Sequence, residues 1–246
     1  VSKIEYAGLS DRGRYRRHNE DRWLADPALG LYLVADGMGG AAAGEEAAQF
    51  VVDALPPLLR RQLRGLRDLA DSRAPERLAE ALTTLSGQLW QESQKHPYLT
   101  GMGAAVVCAL VWERRALVGH LGDSRAYLFH QDRLEQLTRD HSAVQGLVDR
   151  GVITAAEAAR HPESGSLTRF VGMGPNAVPE TCSRELRPGD RLLLCSDGLS
   201  SMVGDQEMTG ILQLNLPPSP TCNLLVDTAN LMGGDDNITV VLVGEG

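Results

Sequence analysis

Apolar residues recur along this chain with two spacings, and the spacing changes by region. Near the N-terminus, KIEYAGLS, DRWLAD and LYLVAD are short runs of aliphatic and aromatic residues that read as strands. The stretch AAGEEAAQFVVDALPPLLRRQLRGL then carries apolar residues at helical spacing. Pro56 and Pro57 predict a break there, because neither can donate to the helix ladder. A second helix is predicted from Pro75, a residue suited to a first helical turn, to about Lys95. Strands return with AAVVCALVW, ALVGHLGDSRAYLFH and RLEQLTRDH, joined by turns so short that antiparallel pairing is expected. Residues 142–160 revert to helix, where Thr154 and Glu157 have the spacing of a capping box. A strand near 181–186, an RPGD turn and the strand RLLLCSD follow. Helices near 205–214 and 219–232 precede a final strand in NITVVLVGE. This order suits stacked sheets with helices outside better than a regular β-α-β alternation.

Four of these strands meet an aspartate at a turn: LYLVADG with Asp36, LVGHLGDSR with Asp123, RLLLCSDG with Asp197, and GGDDNITVVLV with Asp235 and Asp236. One aspartate in such a place caps its own turn. Four, each with glycine beside it or just upstream, point instead to carboxylates converged by rigid strand ends. Neighbouring glycines let backbone carbonyls approach the same point. Clustered carboxylates repel, and a hard divalent cation is the usual remedy. Oxygen-only ligands favour Mg²⁺ or Mn²⁺ over zinc. Two such ions about 3.5–4 Å apart can acidify a water and aim it at phosphorus, so the cluster points to metal-assisted hydrolysis of a phosphate ester. Glu20 and Asp21 follow Arg12, Arg14, Arg16 and Arg17 in SDRGRYRRHNEDRW. That run reads either as a solvated charged face or as an arginine site for bidentate contact with phosphate.

The remaining bulk properties narrow the alternatives. A chain of 246 residues can hold one large domain or two small ones. Its net charge of −8 argues against a nucleic-acid surface but leaves room for a locally positive phosphate site. No apolar run approaches the roughly 20 residues that cross a bilayer, and VSKIEYAGLSDRG has no signal-peptide core. Cys108, Cys182, Cys195 and Cys222 form no C-x-x-C pair, and only Cys108 has the arginine six residues on, Arg114, that a thiol phosphatase requires, but it falls inside the apolar run AAVVCALVW rather than in a loop. They read as reduced core thiols in a cytoplasmic protein. Gly37-Met38-Gly39 with Ala42 also matches G-x-G-x-x-A, the dinucleotide-binding fingerprint. No second strand ending in an acidic residue follows at the required distance, and that reading leaves Asp123, Asp197 and Asp236 without a role. No glycine run is followed by G-K-[ST].

Taken in order, SDRGRYRRHNED, VADGMGGAAAGE, GMGAAVV, GHLGDSRAY, LTRDHS, RPGDRLLLCSDGL and GGDDNITVVLV resemble the PPM family of metal-dependent serine/threonine protein phosphatases, the type 2C class, in its compact bacterial form. The resemblance runs over nearly the whole chain. It implies an α+β fold, a four-layer α-β-β-α sandwich with two antiparallel sheets and a dimetal site at one end. It implies one catalytic domain over residues 1–246, with a flap at about 142–170. Asp36 then resembles the carboxylate that bridges two Mn²⁺ or Mg²⁺ ions. Gly37 resembles a carbonyl ligand of one ion, and Asp197 and Asp236 ligands of the other. Asp123 resembles the ligand of a third, weaker ion, with Asp197 shared. Glu20 and Asp21 resemble residues that orient metal-bound water, and Arg16 the phosphate-binding arginine. His161 in the flap is a substrate contact on the same likeness. The implied reaction is in-line attack of a metal-bridging hydroxide on phosphoserine or phosphothreonine of a protein substrate, by a cytoplasmic monomer with no nucleic-acid or membrane partner. The alternative is a catalytically inactive regulatory or binding module on the same fold. Two positions depart from the pattern: Ala41 follows Gly40 where bacterial members commonly carry His, and Met38 stands where animal members place a histidine acid.

Overall fold

The computed structural model describes residues 4–39, 41–158 and 160–245. Within them, ten strands form two five-stranded antiparallel sheets. The first has the order β1 (Ile4–Asp11), β10 (Ile238–Glu245), β9 (Arg191–Cys195), β6 (Arg125–His130) and β7 (Arg133–Gln136). The second has the order β2 (Asp21–Asp26), β3 (Leu31–Met38), β4 (Gly103–Trp112), β5 (Arg115–Leu121) and β8 (Glu180–Glu185).

The central strands are apolar at nearly every position because both of their faces are covered. On β3, Leu31, Leu33 and Ala35 pack under helices, while Tyr32 and Val34 face the other sheet. On β9, Leu193 and Cys195 pack under helices, while Leu192 and Leu194 meet the partner sheet. Alternation of period two therefore feeds two cores from one strand. Helices α1 (Ala41–Gln62) and α2 (Ala74–Ser93) cover the second sheet. Helices α5 (Asp197–Ser200), α6 (Asp205–Gln213) and α7 (Pro218–Leu231) cover the first. The result is the expected α-β-β-α layering. Between β7 and β8 the chain makes two short helices, α3 (Ala143–Asp149) and α4 (Ala155–Ala158). The Thr154–Glu157 capping box forms: the Thr154 N–H donates to Glu157 Oε2 at 2.7 Å, and the Glu157 N–H donates to Thr154 Oγ1 at 3.2 Å.

Two expectations are corrected. The predicted break at Pro56 and Pro57 does not occur, since α1 runs through both. An interior proline costs roughly 3 kcal/mol. Val51 and Leu55 before the pair, and Leu58, Leu59 and Leu63 after it, are nevertheless buried in one core. Each buried leucine contributes about 1.5–3 kcal/mol, enough together to hold the helix across the prolines. The second correction concerns the run ALVGHLGDSRAYLFH, which pairs antiparallel with the runs before and after it as expected but forms two strands, β5 and β6, in different sheets. The chain crosses from one sheet to the other at 122–124. Gly122 permits this with φ +117°, and a Cβ there would lie 2.4 Å from that of Ala105. The β3–α1–α2–β4 passage ends in an antiparallel pair, which removes the dinucleotide-binding reading, since that fold needs parallel strands.

Candidate metal centre

Asp36 lies inside β3 rather than at its end, because the strand continues to Met38. It follows Tyr32 and Val34 on the face turned toward the other sheet, and it pairs across with Asp21 of β2. Two carboxylates directly opposite each other on neighbouring strands are unfavourable by themselves. Asp123 sits on the turn that crosses between the sheets. Asp197 opens α5 just after β9, and Asp236 stands two residues before β10. One residue inside β3 and three on the segments flanking β5, β9 and β10 thus bring carboxylates from both sheets to one end of the sandwich.

They converge. Arg16, Glu20, Asp36, Gly37, Asp123, Asp197 and Asp236 all line one cavity of about 320 Å³. Arg16, Asp123, Asp197 and Asp236 also line an adjoining cavity of about 450 Å³ whose far wall is Val144, Gln145, Val148, Ala155, Ala158 and Ser164 of the 142–170 segment. Asp21 lies behind the first cavity and is 2% exposed. Its Oδ2 accepts the Ser196 hydroxyl at 2.8 Å, and the Ser196 Oγ accepts the Thr239 N–H at 3.0 Å. His161 lines neither cavity; its Nδ1 accepts the Glu163 N–H at 3.2 Å. From the same segment it is Gly165 and Leu167 that reach the smaller cavity. Gly40, the last glycine of the ADGMGG run, lies outside the described residues.

Glycine is required where α1 begins close to β3. A Cβ on Gly37 would lie 2.0 Å from the Gly44 carbonyl oxygen, and one on Gly44 would lie 1.9 Å from Glu20 Oε2. Arg16 Nη2 donates to Asp236 Oδ2 at 2.6 Å with its side chain half exposed, so the guanidinium stands at the rim. The loop that carries it is tied down by Asn237. Its Oδ1 accepts the Glu20 N–H at 2.8 Å, and its Nδ2 donates to the Arg12 and His18 carbonyls, each at 2.9 Å.

The electrostatics explain what the site is for. Burial, and then the charges of Asp21, Asp197, Asp123 and Asp236, push Asp36 well above the usual carboxylate range. Burial pushes Asp123 up to about 8, with Asp197 and Asp140 adding to it. Asp21 rises to about 7, mainly by burial and against hydrogen bonds from Thr239 and Ser196 that pull it down. Asp197 is raised by burial and then by Asp236. Asp21 Oδ1 and Asp197 Oδ1 are buried with no hydrogen-bond partner. Unpaired buried oxygens on mutually repelling carboxylates call for positive charge. No histidine or cysteine lines the smaller cavity. The donor set therefore fits hard divalent cations, Mg²⁺ or Mn²⁺, and not zinc.

Sequence reasoning missed Asn237, Ser196 and the Arg125–Asp140 pair. Arg125 Nε and Nη2 donate to the two Asp140 oxygens at 2.8 and 2.7 Å, on the wall of the larger cavity. Asn237 stood beside a singled-out aspartate, which was its only signal. Nothing local could show that its amide reaches a loop more than 200 residues earlier.

A two-sheet sandwich with an all-oxygen pit and an arginine at its rim defines a centre for divalent cations and a bound oxyanion. The chain belongs to the protein phosphatase 2C family, whose family model matches residues 13–223. It is 39% identical over 239 residues to the serine/threonine protein phosphatase PstP of Mycobacterium tuberculosis, covering 97% of this chain but 44% of that protein, so it spans less than half of that relative's length. It is 34% identical to the serine/threonine phosphatase stp of Listeria innocua, covering 95% of this chain and 93% of that one. The catalytic domain of PstP, solved in complex with two manganese ions, superposes with a TM-score of 0.84 at 37% identity, covering 98% of this chain and 97% of that one.

Proposed function

We propose that residues 1–246 form one catalytic domain that hydrolyses phosphoserine and phosphothreonine esters on proteins with the aid of divalent cations. The observation that carries this reading is the convergence of Asp36, Gly37, Asp123, Asp197 and Asp236 on one cavity with Arg16 at its rim. Asp36, the Gly37 carbonyl, Asp197 and Asp236 would hold two core ions, Mn²⁺ or Mg²⁺. Asp123, with Asp197 shared, would hold a third, weaker one. When bound, such ions supply a water of lowered pKa and neutralise phosphate charge for in-line displacement.

The chain's own residues do the rest. Arg16, which pairs with Asp236 at 2.6 Å, would bind the phosphate as a fork of N–H donors. Asp21, held by Ser196, and Glu20, held against Gly44, would orient water in the cavity when cations are bound. The 142–170 segment walls the larger cavity and would act as a flap that shapes substrate access, with His161 as a substrate contact. No cysteine takes part, since Cys108, Cys195 and Cys222 are buried free thiols and Cys182 is half-buried. Those thiols suit a reducing compartment, and we place the protein in the cytoplasm as a monomer without nucleic-acid or membrane partners. No described helix is long and apolar enough to cross a membrane.

The test is hydrolysis of p-nitrophenyl phosphate and a phosphothreonine peptide by metal-stripped protein, with Mn²⁺, Mg²⁺ or nothing restored. Activity should return only with metal, and Asp36→Ala should abolish it while the fold persists. A folded wild-type protein inactive with either metal would instead favour the binding-module reading.

A further inference from the structure

Beside the cation site lies a second cluster whose role the proposed chemistry leaves open. His120 and His141 stack with ring centroids 4.3 Å apart and an interplanar angle of 22°, and Glu180 faces them. Potential ligand atoms of the three lie within 4.8 Å of one another. Their hydrogen bonds argue against a metal site. Stacked imidazoles direct their lone pairs side by side rather than at one point. His120 Nε2 is engaged by the Arg139 carbonyl at 2.8 Å. His141 Nδ1 accepts the Gly122 N–H at 3.3 Å, which puts the ring proton on Nε2, 3.4 Å from Glu180 Oε1. Glu180 is itself held by Arg169 Nη2 at 2.7 Å.

The same contacts describe a clasp. The His141 N–H donates to the Gly122 carbonyl at 2.9 Å, so His141 grips Gly122 through backbone and ring together. Gly122 is the residue that turns the chain between the sheets and directly precedes Asp123. The His141 carbonyl accepts the Thr168 N–H at 2.7 Å, and the Ala143 N–H donates to Ser166 at 2.8 Å. These bonds tie together the two feet of the 142–170 segment. Arg169, at the second foot, also donates to the Val178 carbonyl at 3.1 Å. Burial, and then the neighbouring His120, push the His141 pKa down to about 4, which keeps Nδ1 free to accept.

We propose that His141 is a positioning residue that couples the feet of the flap to the Gly122–Ser124 turn, so that cation binding at Asp123 and ordering of residues 142–170 are one event. The inference rests on the reading of Asp123 as a ligand of the third, weaker cation. Mn²⁺ is titrated calorimetrically into metal-stripped wild type, Asp123→Asn, His141→Phe, His141→Asn and His141→Gln, and amide hydrogen exchange is followed with and without Mn²⁺. Wild type should show a tight pair of sites and a weaker site, and occupancy of the weaker one should slow exchange at 142–170. Asp123→Asn should remove the weaker site. His141→Phe should keep the tight pair, weaken the third site about tenfold, as expected for one buried hydrogen bond, and uncouple it from exchange at 142–170. Asparagine places an acceptor near Nδ1 and should restore both effects, whereas glutamine reaches only the Nε2 position and should not. That pair decides the matter even if the phenylalanine variant fails to fold. Wild-type behaviour in His141→Gln, or failure of His141→Asn to restore coupling, overturns the role of His141 alone. An unchanged third site in Asp123→Asn overturns the assignment of Asp123, and this inference with it.

Discussion

Replacing Asp21 by asparagine should stabilise the metal-free protein and weaken its hold on cations, and the structure gives the size of the effect. Asp21 is buried opposite Asp36, and its pKa is raised from the ordinary 3.8 to about 7. A carboxyl raised on folding binds more protons in the native state than in the unfolded one. Its contribution to stability is therefore present at low pH and is lost as pH rises from about 4 through about 7. Each pH unit in that window removes about 1.4 kcal/mol, so wild type should lose roughly 3 kcal/mol between pH 5 and pH 8 that the neutral amide does not lose. Asparagine can still accept the Ser196 hydroxyl, and its NH₂ can occupy the side where Asp21 Oδ1 now has no partner. The assay is thermal unfolding of both proteins after chelation. For a chain of this size the gap in Tm should widen by roughly 6–12 °C from pH 5 to pH 8, in favour of the variant. Saturating Mn²⁺ should close or reverse it, because the cation favours the charged form. A gap that is equal at the two pH values, or that narrows at pH 8, would refute the electrostatic reading of this carboxylate.

Three other outcomes follow from particular contacts. Arg16→Ala removes the rim guanidinium and its 2.6 Å pair with Asp236, so steady-state kinetics should show KM for phosphopeptides rising about tenfold or more with a smaller change in kcat; an unchanged KM would remove Arg16 from phosphate binding. Gly37→Ala drives a methyl group into the Gly44 carbonyl, so denaturant unfolding should show a loss of about 1–3 kcal/mol, with weaker Mn²⁺ binding as the Gly37 carbonyl shifts; wild-type stability would contradict the close β3–α1 approach. Pro57→Ala, at an exposed position inside α1, restores a helical donor and should raise stability by about 1–3 kcal/mol; a fall would mean that the proline contributes to the path of the helix.

Most of the chemistry was legible in the chain. The aspartates at Asp36, Asp123, Asp197 and Asp236 stood beside apolar runs and glycines, and they line one cavity in the fold. The strands were legible for the same reason, since runs such as RLLLC and AAVVCALVW have no polar face and must be covered on both sides. Reading Asp36 as a strand end failed because ADGM looks like a turn in isolation. In the sheet, Ala105, Ala104 and Gly103 of β4 pair with Asp36, Gly37 and Met38 and extend the ladder. The prolines of α1 misled because local propensity was outweighed by apolar burial on both sides of them.

The sequence by itself determined the kind of donor, all oxygen, and the alternation that assigns each strand residue to one of two cores. These are properties of near neighbours: period two along a strand, glycine beside a carboxylate, arginine close to an acidic pair. The tertiary structure alone decided which sheet β5 and β6 would each join, that Asp21 would stand opposite Asp36, that Asn237 would hold the Arg16 loop, and that His141 would grip Gly122. Each of those depends on how two sheets meet across a shared core. The energy of that meeting is summed over many buried contacts, so no short stretch of sequence records it.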